Sequence, residues 1–411
     1  MAIDLTVFKG SKGGKVVKSV AHRDGLKGDE VLVKMTHSGV CGTDLHYRGA
    51  DMVLGHEGAG VVQELGPEVV DFQVGDRVGF GYLHQTCGHC QQCLLGNEVF
   101  CPERHMYGGA ETDKGSFGSH MVWRAAYLFH IPDAIKSEDA APLMCGGATV
   151  FNVLHTFGVQ PTDRIGIIGV GGLGHLAIQF AAKMGCEVVV FSGTDSKKEQ
   201  ALQLGASEFY ATKDATELKI GKPVNHLIVT TSAQPDWKLY IPTLAANAGI
   251  FPLSVSRENF VMPYGALLMQ GLRVQGSLVA SRGVHNKMLR FAAVHGIKPI
   301  IQTFPMNVQG IEECIETLDQ GRMRYRGVLV VEDEEKVMNG QEAIPAYAET
   351  PVNGHKAPTN GGESSSNAPA TNSVEPSTNG LETSNTAPET STNGQETAEA
   401  GQGASVGSPR L

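Results

Sequence analysis

The sequence is poor in aromatic residues, in basic charge and in long apolar runs. Aromatic side chains make up 6% of its 411 residues, and two of them are tryptophan. No apolar run reaches the roughly 18 residues that a membrane-spanning helix needs, so no membrane span is predicted. Acidic side chains outnumber basic ones by 43 to 33, which gives a formal net charge of −10. Without excess cations to neutralise phosphates, we expect no nucleic-acid partner and no anionic membrane partner.

We also expect no secretory signal, because the N-terminal residues include no apolar stretch after a basic start. The eight cysteines of an unsecreted chain favour metal or redox use over disulfides. We therefore expect a cytoplasmic protein. The C-terminal Pro409-Arg410-Leu411 is an imperfect match to the SKL-type address, which leaves the peroxisome as the alternative.

Composition separates a globular part from a tail. Hydrophobic content of 41% and charged content of 18% are typical of a chain that buries a sizeable core. From about Ala348 onward, however, Phe, Trp, Tyr, Ile, Met and Cys are absent. Such a stretch cannot bury enough apolar surface to offset its ordering entropy. Residues 335–411 are therefore predicted to form a disordered, low-complexity tail.

The globular part changes its pattern twice. Residues 1–150 alternate short apolar runs with Gly and Asp turns, which predicts antiparallel strands in a barrel-like unit. In residues 151–281 strands alternate with helices, which is typical of a doubly wound parallel sheet. The pattern then shortens again, and residues 282–334 are predicted to return to the first domain. The predicted fold class is α/β.

Four cysteines in a polar loop carry the strongest signal. They follow the spacing C-x2-C-x2-C-x7-C and are Cys87, Cys90, Cys93 and Cys101. Four thiolates can close a tetrahedral shell around one zinc and leave no position for water. Reduced core cysteines and an iron–sulfur cluster are the alternatives, but the loop offers no core and ferredoxin spacings differ. We predict a structural zinc site.

A second group offers a different donor set. Cys41 lies in CGTDLH, His56 and Glu57 lie in GHEGAG, and Cys145 lies in APLMCGGAT. Two cysteines and a histidine supply three ligands and leave a fourth position open, as catalytic zinc requires. Taken singly, Cys145 could be a small buried residue and His56 a hydrogen-bonded turn histidine. The two groups together predict two zinc ions per chain.

A glycine-rich turn stands between an apolar strand and a helix. Its G-x-G-x-x-G pattern allows a tight turn, a close approach to a pyrophosphate and close helix packing. The N-terminus of the helix then faces the phosphate charge. The sequence predicts a dinucleotide site formed by Gly169, Gly171, Gly172, Leu173 and Gly174.

The end of the next strand bears on the choice of cofactor. An NAD site usually places an acid on the ribose 2′-hydroxyl. Here Ser192 stands at that end, followed by Thr194 and Lys197. Hydroxyls and a cation suit a 2′-phosphate, so NADP(H) is predicted. The alternatives are Asp195 at the ribose of NAD, and a solvated helix start at Lys197.

Together these motifs resemble the zinc-dependent medium-chain alcohol dehydrogenases, and most closely their cinnamyl-alcohol-dehydrogenase-like, NADP-preferring branch. The resemblance covers about residues 1–334. It implies a GroES-like β-barrel catalytic domain plus a Rossmann doubly wound parallel-sheet cofactor domain, with the active site between them. It also implies a homodimer or higher homo-oligomer, in which the strand LRVQGSLVA pairs across two subunits.

The same resemblance implies roles for individual residues. Glu57 can approach or replace the fourth zinc ligand, and Thr149 packs beside the nicotinamide. Apart from the resemblance, Ser277 and Arg326 are candidates for contacts with the cofactor, Arg326 at the pyrophosphate, and a salt bridge to an acid is the alternative for Arg326. Thr43 and His46 form a proton relay through the nicotinamide ribose, unless His46 is only a surface histidine.

Two further sets of residues are candidates for supporting roles. Zinc-bound imidazoles usually need a hydrogen-bond partner, for which Asp44 and Asp51 are the candidates. The candidate walls of the substrate pocket are Tyr82, Tyr107, Phe117 and Met121. The segment between the first two zinc ligands is shorter than is usual in the family, so the resemblance does not extend to the substrate.

The expected activity is hydride transfer between NADP(H) and a small-molecule primary alcohol or aldehyde. The alternatives are an NADPH-dependent reductase of an enone carbon–carbon double bond, a polyol dehydrogenase and a non-catalytic nucleotide sensor. The full ligand set and the Thr43–His46 relay favour carbonyl chemistry. A polyol dehydrogenase more often has an acid where Ser192 stands.

Overall fold

A computed structural model describes residues 2–256 and 258–331. The predicted tail at 335–411 and its C-terminal tripeptide lie outside the described residues. Within these ranges, every helix is too short or too polar to cross a membrane.

The N-terminal part is built from antiparallel strands and short helices. Its strands are β1 (Ile3–Lys9), β2 (Val17–Arg23), β3 (Glu30–Val40), β4 (Gly58–Leu65), β5 (Arg77–Phe80), β6 (Leu83–Gln85), β7 (His105–Met106), β8 (His120–Arg124) and β9 (Phe129–His130). Its helices are α1 (Gly42–Tyr47), α2 (Gln91–Leu94) and α3 (Ser137–Pro142). Strands β3, β4, β5 and β9 pair in that order, and β8 pairs with β3. Apolar side chains fill the interior, where Trp123 stacks on Phe80 with ring centroids 4.2 Å apart.

The middle part is a parallel sheet with helices. Its helices are α4 (Ala148–Thr156), α5 (Gly174–Lys183), α6 (Lys198–Gln203), α7 (Trp237–Tyr240) and α8 (Tyr264–Gln270). Its strands are β10 (Arg164–Ile168), β11 (Glu187–Ser192), β12 (Glu208–Ala211), β13 (Val224–Val229), β14 (Leu244–Pro252) and β15 (Arg273–Val274). They lie in the order β12-β11-β10-β13-β14-β15, and all pairs are parallel. The order reverses beside β10, and ligands bind at such a switch point, beyond the carboxyl ends of the strands.

The last part returns to the N-terminal sheet. It contains α9 (Arg282–His295), β16 (Ile301–Pro305), α10 (Val308–Asp319) and β17 (Arg326–Val330). Strand β17 pairs antiparallel with β3, with Gly327 opposite Val40, and it pairs parallel with β16. The two-part α/β architecture is thus confirmed, whereas the boundaries at residues 150, 281 and 334 stay predictions.

Two of the predicted strands, β10 and β11, are mostly buried, whereas a third predicted strand is short and exposed. The residues of β10 are all buried, and so are four of the six residues of β11, as is typical of central parallel strands covered on both faces. The stretch LRVQGSLVA, by contrast, is regular only over Arg273–Val274, at the exposed edge of the sheet. Its pairing across subunits stays a prediction.

Candidate active site

Four potential metal ligands converge from three separate elements. Cys41 precedes α1, His56 and Glu57 precede β4, and Cys145 lies in a π-helical turn ahead of α4. One ligand atom from each lies within 4.8 Å of the others, and Cys41 Sγ is 3.1 Å from His56 Nε2. Cys41, His56 and Glu57 are buried. The structure therefore brings together all four residues that the sequence assigned to a catalytic metal.

Hydrogen bonds orient His56 from behind. Asp44 Oδ1 lies 3.1 Å from His56 Nδ1, and Asp44 Oδ2 accepts a 2.9 Å hydrogen bond from the Cys41 backbone N–H. Tyr107 donates its hydroxyl to Asp44 Oδ1 at 3.0 Å and accepts from the Gly55 N–H at 2.9 Å. With Nδ1 donating to the carboxylate, Nε2 is left to bind a metal. Asp44 therefore takes the supporting role for which it was a candidate.

Asp51 does not take this role. Although Asp51 is only five residues from His56 in the chain, its carboxylate is exposed and pairs with Lys9 at 2.7 Å. Two other candidates from the sequence also lie elsewhere, because Phe117 and Met121 are fully buried in apolar clusters rather than lining a pocket. Tyr82 and Tyr107 are the candidate wall residues that lie beside the site, with ring centroids 5.5 Å and 4.7 Å from that of His56.

The electrostatics favour a thiolate at Cys41. A hydrogen bond from Cys145, together with His56 and Arg326, lowers the pKa of the Cys41 thiol well below its ordinary value. Burial alone would lower the pKa of His56, but Cys41 and Asp44 raise it. A thiolate, a histidine and a second thiol are donors that zinc prefers, so the residues fit a catalytic zinc.

Glu57 and Arg326 form a buried pair at the edge of this donor set. Arg326 Nη2 donates to both carboxylate oxygens of Glu57. Burial raises the pKa of Glu57 to about 7, against the opposing effect of Arg326. This pair is the salt bridge to an acid that the sequence analysis gave as the alternative for Arg326. The Nε atom of Arg326 is buried without a partner, and the Arg326 side chain lies against Gly172 of the glycine turn.

The glycine turn has the geometry that a pyrophosphate requires. Gly169 directly follows β10 and has a φ of +93°, and a Cβ at Gly174 would clash with the Gly169 carbonyl oxygen. Gly171 faces open space. The orphaned Nε of Arg326 supplies an N–H donor beside Gly172, so these residues fit a dinucleotide. Leu173 stands directly before α5, whose N-terminus follows the turn.

Of the residues predicted to bind the rest of the cofactor, Lys197 contacts this turn. Its Nζ donates to the Val170 carbonyl at 2.8 Å. Ser192 is the last residue of β11, and Thr194 hydrogen-bonds Ser196 at 2.9 Å. Thr149 is buried in α4, and Ser277 accepts a 2.9 Å hydrogen bond from Asn152 of the same helix. Their contacts with a cofactor stay predictions.

Thr43 and His46 occupy one short helix beside the metal ligands. They are three residues apart in α1, so their side chains share a face. The Thr43 N–H donates to Cys41 Sγ at 3.4 Å, whereas His46 is exposed. The Thr43 backbone thus lies beside a potential ligand and His46 lies at the surface, and the relay between them stays a prediction.

The four-cysteine loop forms a separate cluster. The Sγ–Sγ distances are 3.6 Å for Cys101–Cys87, 3.6 Å for Cys90–Cys93 and 4.0 Å for Cys87–Cys93. Tetrahedral coordination with Zn–S bonds of about 2.3 Å places sulfurs about 3.8 Å apart. A disulfide needs about 2.05 Å. The loop thus fits a closed structural zinc.

Sequence reasoning missed the contacts of two residues. Tyr107 was a candidate pocket wall, but its hydroxyl supports Asp44. Arg324 had no predicted role, but its Nη2 donates a 2.7 Å hydrogen bond to Gln200 Oε1. Both act on partners that are distant in sequence, 63 residues away for Tyr107–Asp44 and 124 for Arg324–Gln200, so local spacing carried no signal.

Known proteins match both parts of the chain. A family model described as alcohol dehydrogenase GroES-like domain matches residues 27–133, and one described as zinc-binding dehydrogenase matches residues 172–294. A probable formaldehyde dehydrogenase AdhA of Bacillus subtilis is 35% identical over 329 residues, covering 77% of this chain and 94% of that protein.

Solved structures show the same likeness. A cinnamyl alcohol dehydrogenase of Sorghum bicolor superposes with a TM-score of 0.74 at 29% identity, over 80% of this chain and 98% of its own. CAD from Helicobacter pylori, solved in complex with NADP(H), superposes with a TM-score of 0.72 at 26% identity, over 80% of this chain and 99% of its own.

Proposed function

Because the chain belongs to the zinc-dependent medium-chain alcohol dehydrogenases, we propose that it is an NADP(H)-linked enzyme that interconverts an aldehyde and a primary alcohol. The observation that carries the proposal is the buried convergence of Cys41, His56 and Cys145 beside a glycine turn. Two zinc ions per chain are part of the proposal, one at this site and one in the four-cysteine loop.

The proposed ligands of the catalytic zinc are Cys41, His56 and Cys145, and Glu57 is a fourth candidate. With both cofactors bound, the site has a Lewis acid at these ligands and a hydride donor or acceptor at the nicotinamide. Asp44 holds the imidazole so that Nε2 faces the thiol of Cys41. Arg326 keeps the Glu57 carboxylate paired, and Tyr82 packs beside His56.

Proton transfer is proposed to run along α1. The Thr43 hydroxyl would exchange a proton with the substrate oxygen, and His46 would exchange it with water. An imidazole takes up and releases protons near neutral pH, and His46 is already in contact with solvent. The two side chains share a helix face, which supports a relay between them.

The preference for NADP(H) is proposed on charge. Ser192 ends β11 where NAD sites usually have an acid, and Lys197 stands at the glycine turn. A carboxylate at position 192 would repel a 2′-phosphate, whereas Lys197 attracts it. The Helicobacter pylori structure, solved with NADP(H), is consistent with this choice.

A homodimer or higher oligomer is proposed on the exposed edge of the parallel sheet. Strand β15 has one free edge, and Val274 is 41% exposed there. Nearby, Tyr264, Leu268 and Met269 of α8 are 74%, 65% and 88% exposed. An exposed sheet edge beside exposed apolar side chains favours pairing with a second copy.

The proposed location of the protein is the cytoplasm.

One purified sample tests the main proposal. Metal content is measured beside initial rates with NADPH or NADH and a panel of aliphatic, aromatic and α,β-unsaturated aldehydes. We expect about two zinc ions per chain and NADPH-dependent reduction of the carbonyl group. Cys145→Ser should keep one zinc and lose turnover. Reduction of only the carbon–carbon double bond of an enone would overturn the proposal in favour of an enone reductase.

The cofactor preference has its own test. Ser192→Asp places a carboxylate at the end of β11, so the ratio of kcat/KM for NADPH to that for NADH should fall by about tenfold or more. Ser207→Asp is the matched control, since Ser207 is exposed and its backbone N–H bonds the Val188 carbonyl near the opposite end of β11. An unchanged ratio in Ser192→Asp would mean that the 2′-phosphate lies elsewhere.

A further inference from the structure

We propose that Arg324 is the second cation of the subsite that recognises the 2′-phosphate of NADP(H), and that Tyr325 and Gln200 hold it in place. The inference rests on the proposed NADP(H) dependence and goes beyond it, because it assigns a residue from the returning C-terminal segment to cofactor recognition. The site would therefore be formed from both sides: from α6 and the turn before it, and from the residues just ahead of β17.

The first support is a shared aromatic ring. Lys197 Nζ lies 5.1 Å from the centroid of the Tyr325 ring, and the Arg324 guanidinium carbon lies 5.6 Å from the same centroid. Both distances are within the range of cation–π contacts. The ring therefore brings two cations from distant parts of the chain to one place.

Gln200 fixes the geometry of this cluster. Its Oε1 accepts a 2.7 Å hydrogen bond from Arg324 Nη2 and a 2.6 Å hydrogen bond from the Tyr325 hydroxyl. Because Gln200 belongs to α6, the guanidinium is tied to the helix that follows β11. The remaining N–H groups of Arg324 and two N–H groups of Lys197 stay available for a ligand.

The second support is charge without a counter-ion. In residues 2–256 and 258–331, none of Lys197, Lys198 and Arg324 forms an ion pair with an acid. Partial burial and the charge of Arg324 lower the pKa of Lys197, so the two cations affect each other. Neighbouring like charges are unfavourable, and a dianionic phosphate would reverse that penalty with charge-assisted hydrogen bonds.

The third support is position. Lys197 is tied to Val170 in the glycine turn, and a Cβ at Gly172 would lie 3.2 Å from the Tyr325 carbonyl oxygen. The backbone at 324–326 therefore runs along the same turn as the proposed pyrophosphate. Arg324 is exposed, whereas the following two residues are buried. An exposed cation at the rim of this turn suits the outer, adenosine end of the cofactor.

The test measures binding, without a substrate, on the zinc-loaded enzyme. Dissociation constants for NADPH and NADH, and for adenosine 2′,5′-bisphosphate and 5′-AMP, are determined by calorimetry. Arg324→Gln should raise the dissociation constants of NADPH and the bisphosphate about tenfold. It should change those of NADH and 5′-AMP less than about twofold. Arg324→Lys should keep part of the preference. Arg322→Gln is the control, since Arg322 is an exposed neighbour that contacts Gln320 instead.

The outcomes separate the two proposals. If the wild-type enzyme binds NADPH no more tightly than NADH, the NADP(H) proposal fails and this inference fails with it. If the wild type discriminates and Arg324→Gln keeps the same ratio, only the role of Arg324 is overturned. Equal weakening of both cofactors would likewise overturn it, because it would show a structural role. Raising the salt concentration should reduce the effect of the variant.

Discussion

The two cysteine-containing sites differ in how they are assembled. The four-cysteine site takes all its donors from residues 87–101, and three of its four thiols are half-buried. The other site draws its donors from Cys41, His56, Glu57 and Cys145, and its neighbour Arg326 comes from the far end of the chain. A local loop can hold a metal with little help, whereas a site assembled from distant segments needs a supporting shell of buried polar groups.

The two sites also differ in the pKa of a nearby carboxyl group. Glu57 has its pKa raised to about 7 because burial outweighs the effect of Arg326. Glu111 lies between His84 and Lys114, close to the four-cysteine loop, and has its pKa lowered to about 2. One carboxyl group is thus poised to change charge near neutral pH, and the other is held ionised. The surroundings of the first suit chemistry, and those of the second suit stability.

The largest effect is expected at the four-cysteine site. Cys101→Ser removes the one fully buried thiol of that site, so the structural zinc should be lost at a cost on the order of 5 kcal/mol in unfolding free energy. Thermal unfolding and metal content measure this. Cys145→Ser is the matched variant at the other site and should lose turnover while it keeps most of the stability. Similar stability losses in the two variants would contradict the division into a structural and a catalytic site.

The next effect concerns the buried ion pair. Arg326→Met leaves Glu57 without its partner in a fully buried place, so we expect a loss of about 3 to 5 kcal/mol in unfolding free energy. Adding Glu57→Gln should recover a large part of that loss, because no buried carboxyl group is then left that must either stay charged without a partner or take up a proton. Urea unfolding of the single and double variants measures the coupling. A purely additive double variant would argue against a buried pair.

A smaller effect is expected from the support behind His56. Tyr107→Phe removes the hydroxyl that donates to Asp44, so the affinity for the catalytic metal should fall about 10- to 100-fold. Competition with a chelator measures it, and the visible spectrum of the cobalt-substituted enzyme reports the ligand geometry.

Tyr127→Phe is the matched control for that variant. It removes a buried hydroxyl that hydrogen-bonds Thr86 at 2.7 Å, next to the four-cysteine loop. It should leave the catalytic metal unchanged in both affinity and spectrum. The proposed role of Tyr107 would be wrong if both variants shifted the cobalt spectrum alike.

The two sites also differ in how far sequence could predict them. The α/β fold class is confirmed. It could be predicted because apolar periodicity and the glycine turn are patterns of residues that lie close together in the sequence. The spacing of Cys87 to Cys101 is local in the same sense. The support of His56 by Tyr107, and the cluster of Arg324 with Gln200, depend on contacts between distant segments. Such residues come together only in the folded protein, so no local sequence pattern predicts their contacts.

The smallest expected effect sharpens the contrast between the two carboxyl groups. The proximity of His84, whose Nδ1 lies 3.4 Å from Glu111 Oε2, followed by the ion pair with Lys114, holds the pKa of Glu111 at about 2, below its ordinary value of 4.5. A carboxyl group with a lowered pKa stabilises the fold above pH 4.5, and this contribution is lost as the pH falls toward 2. Glu111→Gln should therefore cost about 1 to 2 kcal/mol near pH 7, since Glu111 is partly exposed.

The pH dependence of that cost is the decisive readout. The difference in unfolding free energy between Glu111→Gln and the wild type should be constant from pH 8 to about 5 and shrink below pH 4.5. Glu103→Gln, an exposed carboxyl variant beside the same loop, is the control and should cost little at any pH. If the cost of Glu111→Gln did not change on acidification, the contribution of Glu111 would lie in packing rather than in its charge. The electrostatic contrast with Glu57 would then disappear.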